Sequence, residues 1–129
     1  TSFMNPIIAI AAGGAVGALA RHYFAAQVMR WTGDGFPWGI FVTNVLGSFL
    51  MGVLVQVFMH LAEPMPNLRA FLAVGVLGAF TTFSTFSLEI VSLLNRGDLG
   101  MAALYTLGTV CLAALGLYAG MMLARAILG

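Results

Sequence analysis

The chain has 129 residues, of which 61% are hydrophobic and only 7% are charged, and its formal net charge is +1. Soluble domains carry roughly a quarter charged residues, so this composition excludes an ordinary soluble globule. The chain contains no lysine and has no basic stripe of the kind that binds nucleic acid, so a nucleic-acid partner is excluded as well. The lipid bilayer is the partner that this composition predicts.

Four apolar segments can be drawn, at about 6–29, 38–60, 68–94 and 99–127. Each is close to or above the roughly 20 residues that a membrane-spanning helix needs. Short stretches rich in glycine, proline, asparagine and aspartate separate them, at 33–37, 63–67 and 95–98. The sequence therefore predicts an all-α membrane protein with a single domain of four transmembrane helices, running up-down-up-down.

The arginines are spread almost evenly over the two ends of the predicted bundle. One side holds Arg69 and Arg125, and the other holds Arg30 and Arg96, with Arg21 reaching it from within the first helix. An excess of positive charge on one side normally sets the orientation of a membrane protein. Without it, we expect insertion in both orientations, which allows an antiparallel, dual-topology homodimer. The alternative is that features other than charge select one orientation.

Two pairs of glycines are spaced for close helix packing, Gly13 with Gly17 and Gly116 with Gly120. Such pairs let two helices approach backbone to backbone. Four thin helices also need a partner to bury their polar faces, and homodimers are the commonest closed assembly. The spacing leaves open whether the glycine contacts lie within one subunit or between two.

The third segment combines a phenylalanine at every third residue with five hydroxyl side chains: Phe80, Phe83 and Phe86, and Thr81, Thr82, Ser84, Thr85 and Ser87. Lipid offers these hydroxyls no hydrogen-bond partner, so a path for a small polar solute is the simplest purpose. Aromatic rings have positive edges, which favour an anion. A phenylalanine stripe alone is more often packing, but the neighbouring hydroxyls favour a pathway.

The second segment places Asn44, Gly47 and Ser48 on one helical face. The carboxamide of Asn44 either bonds neighbouring helices together or offers an N–H donor to a permeating anion. Because the arginines lie mostly near segment ends, selectivity would come from neutral dipoles and ring edges. Such a site suits a small, strongly hydrated anion that must also be released quickly.

Three motifs, in this order, resemble those of the Fluc (CrcB) family of microbial fluoride channels: GGAVGALAR at 13–21, TNVLGSF at 43–49 and TTFSTF at 81–86. The resemblance covers essentially the whole chain. It implies an antiparallel dimer in the bacterial plasma (inner) membrane, with a third helix broken mid-membrane. It also implies two pathways through which fluoride leaves the cell passively.

The resemblance implies a fluoride pathway lined by side chains of three segments: Asn44, Phe83, Ser84, Thr85, Phe86, Tyr105 and Thr109. Tyr105 and Thr109 would form a polar track beside the phenylalanines; the alternative is that they make isolated interhelical hydrogen bonds. Arg21 would gather anions at a vestibule, or else snorkel to the interface or pair across helices.

The resemblance also implies a structural sodium ion at the dimer centre. Its ligands would be the backbone carbonyls of Gly78 and Thr81 from both subunits. Ala79 stands where the family often has a second glycine. Because carbonyl coordination needs no side chain, this difference is tolerable provided that Ala79 avoids positive φ.

The sequence shows no catalytic set, no phosphate-binding loop and no metal-ligand spacing of histidines, so we expect a protein that is not an enzyme. Two rival functions remain. A proton-coupled exporter of the small multidrug type would need a membrane carboxylate, and Glu89 is the only acid within a predicted span; this residue could also pair with an arginine or cap a pathway. An accessory subunit would conduct nothing by itself.

Overall fold

The computed structural model describes residues 5–33, 35–61 and 65–129; the predicted turn residue Asp34 and part of the second predicted connection, 63–64, lie outside them. The first two helices are α1, Pro6–Thr32, and α2, Trp38–His60. The third span covers Pro66–Asn95, and the last helix is Leu99–Leu128. All four spans are long and apolar enough to cross a membrane, which confirms the prediction of an all-α, multi-pass membrane protein.

The start of α1 follows directly from its sequence. The side chain of Asn5 accepts a hydrogen bond from the backbone N–H of Ile8 at 3.0 Å, and Pro6 occupies the first helical turn, where its missing N–H costs nothing. The helix ends before Gly33, whose φ of 83° suits glycine. It is three residues longer than the predicted 6–29, because the apolar pattern fades before the helical geometry does.

The third span contains three kinds of backbone. Its first part, α3, covers 66–80: α-helical Pro66–Arg69, wider π-helical turns over Ala70–Leu77, and α-helical Gly78–Phe80. Thr81 and Thr82 are extended, with φ and ψ of −84° and 155° and of −148° and 125°. The chain then resumes as α4, Phe83–Asn95, and the helix Leu99–Leu128 becomes α5. We call the two extended residues the interruption.

Glycines set the pairing of the helices within one protomer. A β-carbon at Gly17 would overlap the carbonyl oxygen of Val76, so α1 packs directly on α3. A β-carbon at Gly120 would likewise overlap the carbonyl oxygen of Phe49, so α5 packs directly on α2. The structure therefore places contacts of both predicted glycine pairs within a subunit.

A small buried cluster joins α2, α4 and α5: Ile40, Phe86, Leu93, Ala102 and Tyr105. Away from this cluster, many leucines of α5 and its one valine, Val110, point outward and are exposed. Outward-facing apolar side chains are what a lipid-facing surface requires, because lipid gives helices no hydrophobic reason to bury them. The packed interior is therefore narrow and lies beside the interruption.

We expect Gly120→Ala to lower the free energy of unfolding by about 1–3 kcal/mol, because the new methyl group would press on the backbone of α2. Gly108→Ala on the same helix is the control, since its β-carbon would meet Phe41 at an ordinary 3.7 Å. Unfolding of the purified protein in mixed detergent and SDS micelles measures both. Equal stability of the two variants would contradict the close α2–α5 approach.

Candidate functional site

The carboxamide of Asn44 binds both backbone groups of Thr82. Its Oδ1 accepts the Thr82 N–H at 2.8 Å, and its Nδ2 donates to the Thr82 carbonyl oxygen at 3.1 Å. Asn44 is buried in α2, 38 residues away along the chain. Because the oxygen must face the N–H and the nitrogen must face the carbonyl, the orientation of the amide is fixed. A second N–H of Nδ2 remains for another acceptor.

Two further features stabilise the interruption. The Thr82 hydroxyl caps α4 by accepting the backbone N–H of Thr85 at 3.2 Å, and it lies 3.4 Å from the Ser84 hydroxyl. Gly47 of α2 lies so close that a β-carbon there would overlap the Thr81 methyl group. The face of α2 that carries Asn44 therefore approaches the interruption at contact distance.

A cavity of about 280 Å³, which we call the Asn44 cavity, opens beside the interruption. It is lined by Asn44, Ser48, Thr81, Thr82, Phe83, Phe86, Thr109, Val110 and Ala113. The Thr109 hydroxyl is buried and has no hydrogen-bond partner among the described residues. A buried hydroxyl without a partner is costly, so this one is available as a donor to a polar species in the cavity. The lining thus combines aromatic rings, hydroxyls and one carboxamide.

The two rings at this cavity have very different exposure in the protomer. Phe86 is 5% exposed, whereas Phe83 is 79% exposed. Their centroids are 5.8 Å apart and their planes are inclined by 56°. One protomer therefore holds Phe86 in place by packing and leaves Phe83 uncovered.

A second cavity, of about 390 Å³, is lined by different residues of α4. We call it the Arg21 cavity; it is lined by Arg21, His22, Ala25, Ala26, Met29, Gly39, Ile40, Thr85 and Glu89. The Tyr105 hydroxyl donates to Oε1 of Glu89 at 2.8 Å, and the Tyr105 ring packs on Phe86 with centroids 5.1 Å apart. Tyr105 therefore links the carboxylate of one cavity to a ring of the other.

The guanidinium of Arg21 is engaged with the backbone of α3. Its Nη1 donates to the carbonyl oxygen of Ala79 at 3.2 Å. This contact is the pairing across helices that the sequence analysis gave as one alternative for Arg21. It does not test the other alternative, a role in gathering anions at a vestibule. No non-glycine residue described has positive φ, so Ala79 meets the condition set for it.

Backbone carbonyls at the interruption are the available metal ligands. Among the described residues, no three of the histidine, cysteine, aspartate and glutamate side chains come together as a metal site. The Gly78 carbonyl receives only a long contact, 3.4 Å, from the Thr81 hydroxyl, and the Thr81 carbonyl accepts no hydrogen bond from the described residues. Two such oxygens fit part of the coordination shell of a hard cation.

The structure brings together part of the predicted pathway. Asn44, Phe83, Phe86 and Thr109 line one cavity, whereas Thr85 and Arg21 line the other. Ser84 is exposed next to the first cavity, and Tyr105 lies between the two. The roles given to these residues stay predictions.

Thr82 is the residue whose importance the sequence analysis missed. It binds Asn44 through its backbone and caps α4 through its side chain. A threonine directly before a helical stretch is a recognised capping signal. Inside an apolar span, however, nothing in the sequence marks where a new helical stretch begins, so Thr82 could not be told apart from the other four hydroxyl residues. Asn44 forms the interhelical hydrogen bonds that were one of its two predicted roles. Its second Nδ2 N–H remains available for the other predicted role, donation to a permeating anion.

We expect Asn44→Leu to lower the free energy of unfolding by about 1–3 kcal/mol for each Thr82 group left without a partner. Ser48→Ala, one turn further along α2, is the control, because Ser48 makes no side-chain hydrogen bond with the described residues. The same micelle unfolding assay compares them. If the two variants were equally stable, the pairing with Thr82 would not contribute to the fold.

Comparison with known proteins gives a consistent result over nearly the whole chain. Residues 8–121 match the family described as CrcB-like protein, Camphor Resistance (CrcB). A relative from Rhodospirillum centenum is 48% identical over 95% of this chain and 97% of its own length. Relatives from Phenylobacterium zucineum and Agrobacterium fabrum are 45% and 43% identical, each over 95% of this chain and over 97% and 98% of their own lengths.

All three relatives carry the name fluoride-specific ion channel FluC. These names describe channels and no catalysed reaction, which confirms the prediction that the chain is not an enzyme. The resemblance seen in the three sequence motifs is confirmed as well, and the chain belongs to the CrcB family.

Proposed function

We propose that this chain forms a passive, selective fluoride channel in the bacterial inner membrane, through which F⁻ leaves the cell down its electrochemical gradient. The names of the relatives support fluoride as the permeating ion. The observation that carries the proposal is the Asn44 cavity, where two aromatic rings, a carboxamide and a hydroxyl without a partner line one space within the spans. The Arg21 cavity, by contrast, is lined by neither a phenylalanine ring nor a carboxamide.

The chemistry of this cavity suits a small anion in transit. The Thr109 hydroxyl and the remaining N–H of Asn44 are neutral donors that replace part of the hydration shell. The positive ring edges of Phe83 and Phe86 add weak attraction without a fixed cation. Conduction needs binding that is favourable enough for entry and weak enough for exit, and neutral donors meet both conditions.

The functional unit that we propose is an antiparallel, dual-topology homodimer with two pathways. Phe83, Gly78 and Ser84 are exposed in the protomer although they lie around the interruption. Polar backbone and hydroxyl groups at membrane depth require burial in protein or a water-filled space, and a second copy supplies it. The balanced distribution of arginines is compatible with insertion in both orientations.

A sodium ion at the centre of this dimer is part of the proposal. An interruption that lies mid-membrane would meet its twofold copy on the symmetry axis. The carbonyls of Gly78 and Thr81 from both subunits would then offer four oxygen ligands to a hard cation. When bound, sodium would supply positive charge that fixes these carbonyls and joins the subunits.

Other predicted residues have supporting positions in this scheme. Ser84 lies at the open edge of the Asn44 cavity, and Thr85 and Tyr105 lie towards the Arg21 cavity. The Arg21 cavity is the vestibule of the proposal, with Arg21 at its wall. A passive path of this kind suffices in acid surroundings, because fluoride that enters as neutral HF is trapped inside as the anion and can be driven outward by the membrane potential.

The proposal is tested by ion efflux from liposomes that contain the purified protein, with fluoride and chloride electrodes read together and valinomycin carrying the balancing potassium. We expect rapid loss of fluoride without chloride. Phe83→Ile or Phe86→Ile should slow it at least about tenfold, equivalent to about 1.4 kcal/mol in the barrier.

Two outcomes would contradict the channel. Fluoride movement that required a proton gradient, and that Glu89→Gln abolished, would indicate the proton-coupled exporter. Retention of fluoride by a correctly folded homodimer would indicate an accessory subunit.

We expect Thr109→Val to slow fluoride efflux roughly tenfold to a hundredfold, because the variant keeps the shape of the side chain and loses a donor to a charged ion. Thr106→Val is the control on the same helix, since the Thr106 hydroxyl already donates to the carbonyl of Ala102 at 2.8 Å. The liposome assay measures both rates. Equal rates for the two variants would exclude Thr109 as a fluoride donor.

A further inference from the structure

We propose that Arg21 is a positioning residue for the interruption: it binds the carbonyl oxygen of Ala79 and thereby determines which carbonyls at the end of α3 and in the interruption remain available to a cation. The inference rests on the proposed function, because its consequence concerns the proposed sodium ion. It gives Arg21 a task at the end of α3, distinct from the gathering of anions at a vestibule.

The way α1 packs along α3 places Arg21 next to the Ala79 carbonyl. Gly17 lies one turn before Arg21 on the same face, and a β-carbon there would come within 3.1 Å of the Ala79 β-carbon. One turn further along α1, the guanidinium reaches the Ala79 carbonyl oxygen at 3.2 Å. The ring of Phe24 then packs on that of Phe80, with centroids 5.8 Å apart. Contacts on both sides therefore hold Arg21 opposite the last turn of α3.

The interruption leaves the last carbonyls of α3 without their usual helical partners. The Leu77 carbonyl accepts the backbone N–H and the hydroxyl of Thr81, both at 3.1 Å. The N–H that would have reached Gly78 belongs to Thr82 and is turned to Asn44. In this stretch, side chains contact the carbonyls of Gly78, Ala79 and Thr82, the first only at a long 3.4 Å.

Side chains from two helices bind two of the five backbone carbonyls from Gly78 to Thr82. Arg21 binds that of Ala79, and Asn44 binds that of Thr82. The carbonyls of Gly78, Phe80 and Thr81 remain, and those of Gly78 and Thr81 each directly precede a bound carbonyl. A guanidinium is well suited to such a task, because it is always charged and presents several donors in a rigid plane, and a cation is favourable at a helix C-terminus.

Positioning and simple electrostatics predict effects of opposite sign on sodium. A guanidinium bound to the carbonyl next to Gly78 is a positive charge near the proposed sodium ion, and like charges repel. If Arg21 contributed only its charge, its removal would strengthen sodium binding. If Arg21 positions the carbonyls, its removal frees the Ala79 carbonyl and weakens sodium binding.

The test compares Arg21→Gln with Arg30→Gln in the full-length protein in lipid nanodiscs. Arg30 lies on the same helix and is exposed, and among the described residues its guanidinium hydrogen-bonds only the Gln27 side chain, at 3.4 Å. Backbone hydrogen exchange of residues 78–86 is followed by mass spectrometry while sodium is titrated against N-methyl-D-glucamine. Arg21→Lys is a second variant that keeps the charge and a shorter donor, in case Arg21→Gln does not assemble.

We expect Arg21→Gln to speed exchange of residues 78–86 roughly tenfold, the change expected from loss of one charge-assisted hydrogen bond. The sodium concentration that gives half-maximal protection should rise by a similar factor, with partial rescue in Arg21→Lys and no change in Arg30→Gln. Unchanged exchange in Arg21→Gln, or protection at a lower sodium concentration, would overturn the positioning role.

The same experiment distinguishes an error in the proposed sodium site from an error in the proposed role of Arg21. If sodium did not affect exchange in the unsubstituted protein, the sodium site would be wrong. The difference in exchange between Arg21→Gln and Arg30→Gln would still decide whether Arg21 holds the interruption.

Discussion

The structure depends on one requirement: the backbone polar groups of two extended residues must be satisfied within an apolar span. Lipid offers no hydrogen-bond partner at membrane depth, so protein groups, a bound species or a water-filled space must do so. Asn44 binds both backbone groups of Thr82, the Thr82 hydroxyl caps the next helix, and Arg21 binds Ala79. Three polar side chains near the interruption therefore hydrogen-bond its backbone or that of the helix ends beside it, and two of them also line the Asn44 cavity.

Glycines bring the helices close enough for this arrangement. Gly17 lets α1 lie on α3 at the height from which Arg21 reaches the last turn, and Gly47 lets α2 lie against Thr81. Gly120 fixes α5 on α2, which places Thr109 opposite Asn44 at the cavity. Each close contact thus helps to position a residue of the interruption or of the Asn44 cavity. The geometry of the site therefore depends on how closely the helix backbones approach.

Much of the fold is readable from the sequence because length and hydropathy alone define spans, and short connections force neighbouring helices to run antiparallel. The partner of Asn44 is not readable, because it depends on how α2 and the third span align in three dimensions. The π-helical turns over Ala70–Leu77 have no sequence signal, since their residues suit an α-helix equally well. The hydrogen bond from Tyr105 to Glu89 joins residues 16 apart on two helices, and only their packing reveals it.

The two-point attachment of Asn44 to Thr82 also has a mechanical consequence. Because both hydrogen bonds lie on one carboxamide, α2 cannot rotate about its own axis without breaking both at once. Rotation of the Phe83 side chain, which is uncovered in the protomer, breaks neither bond. The wall of the cavity can thus change at one ring without any movement of the helices that hold it.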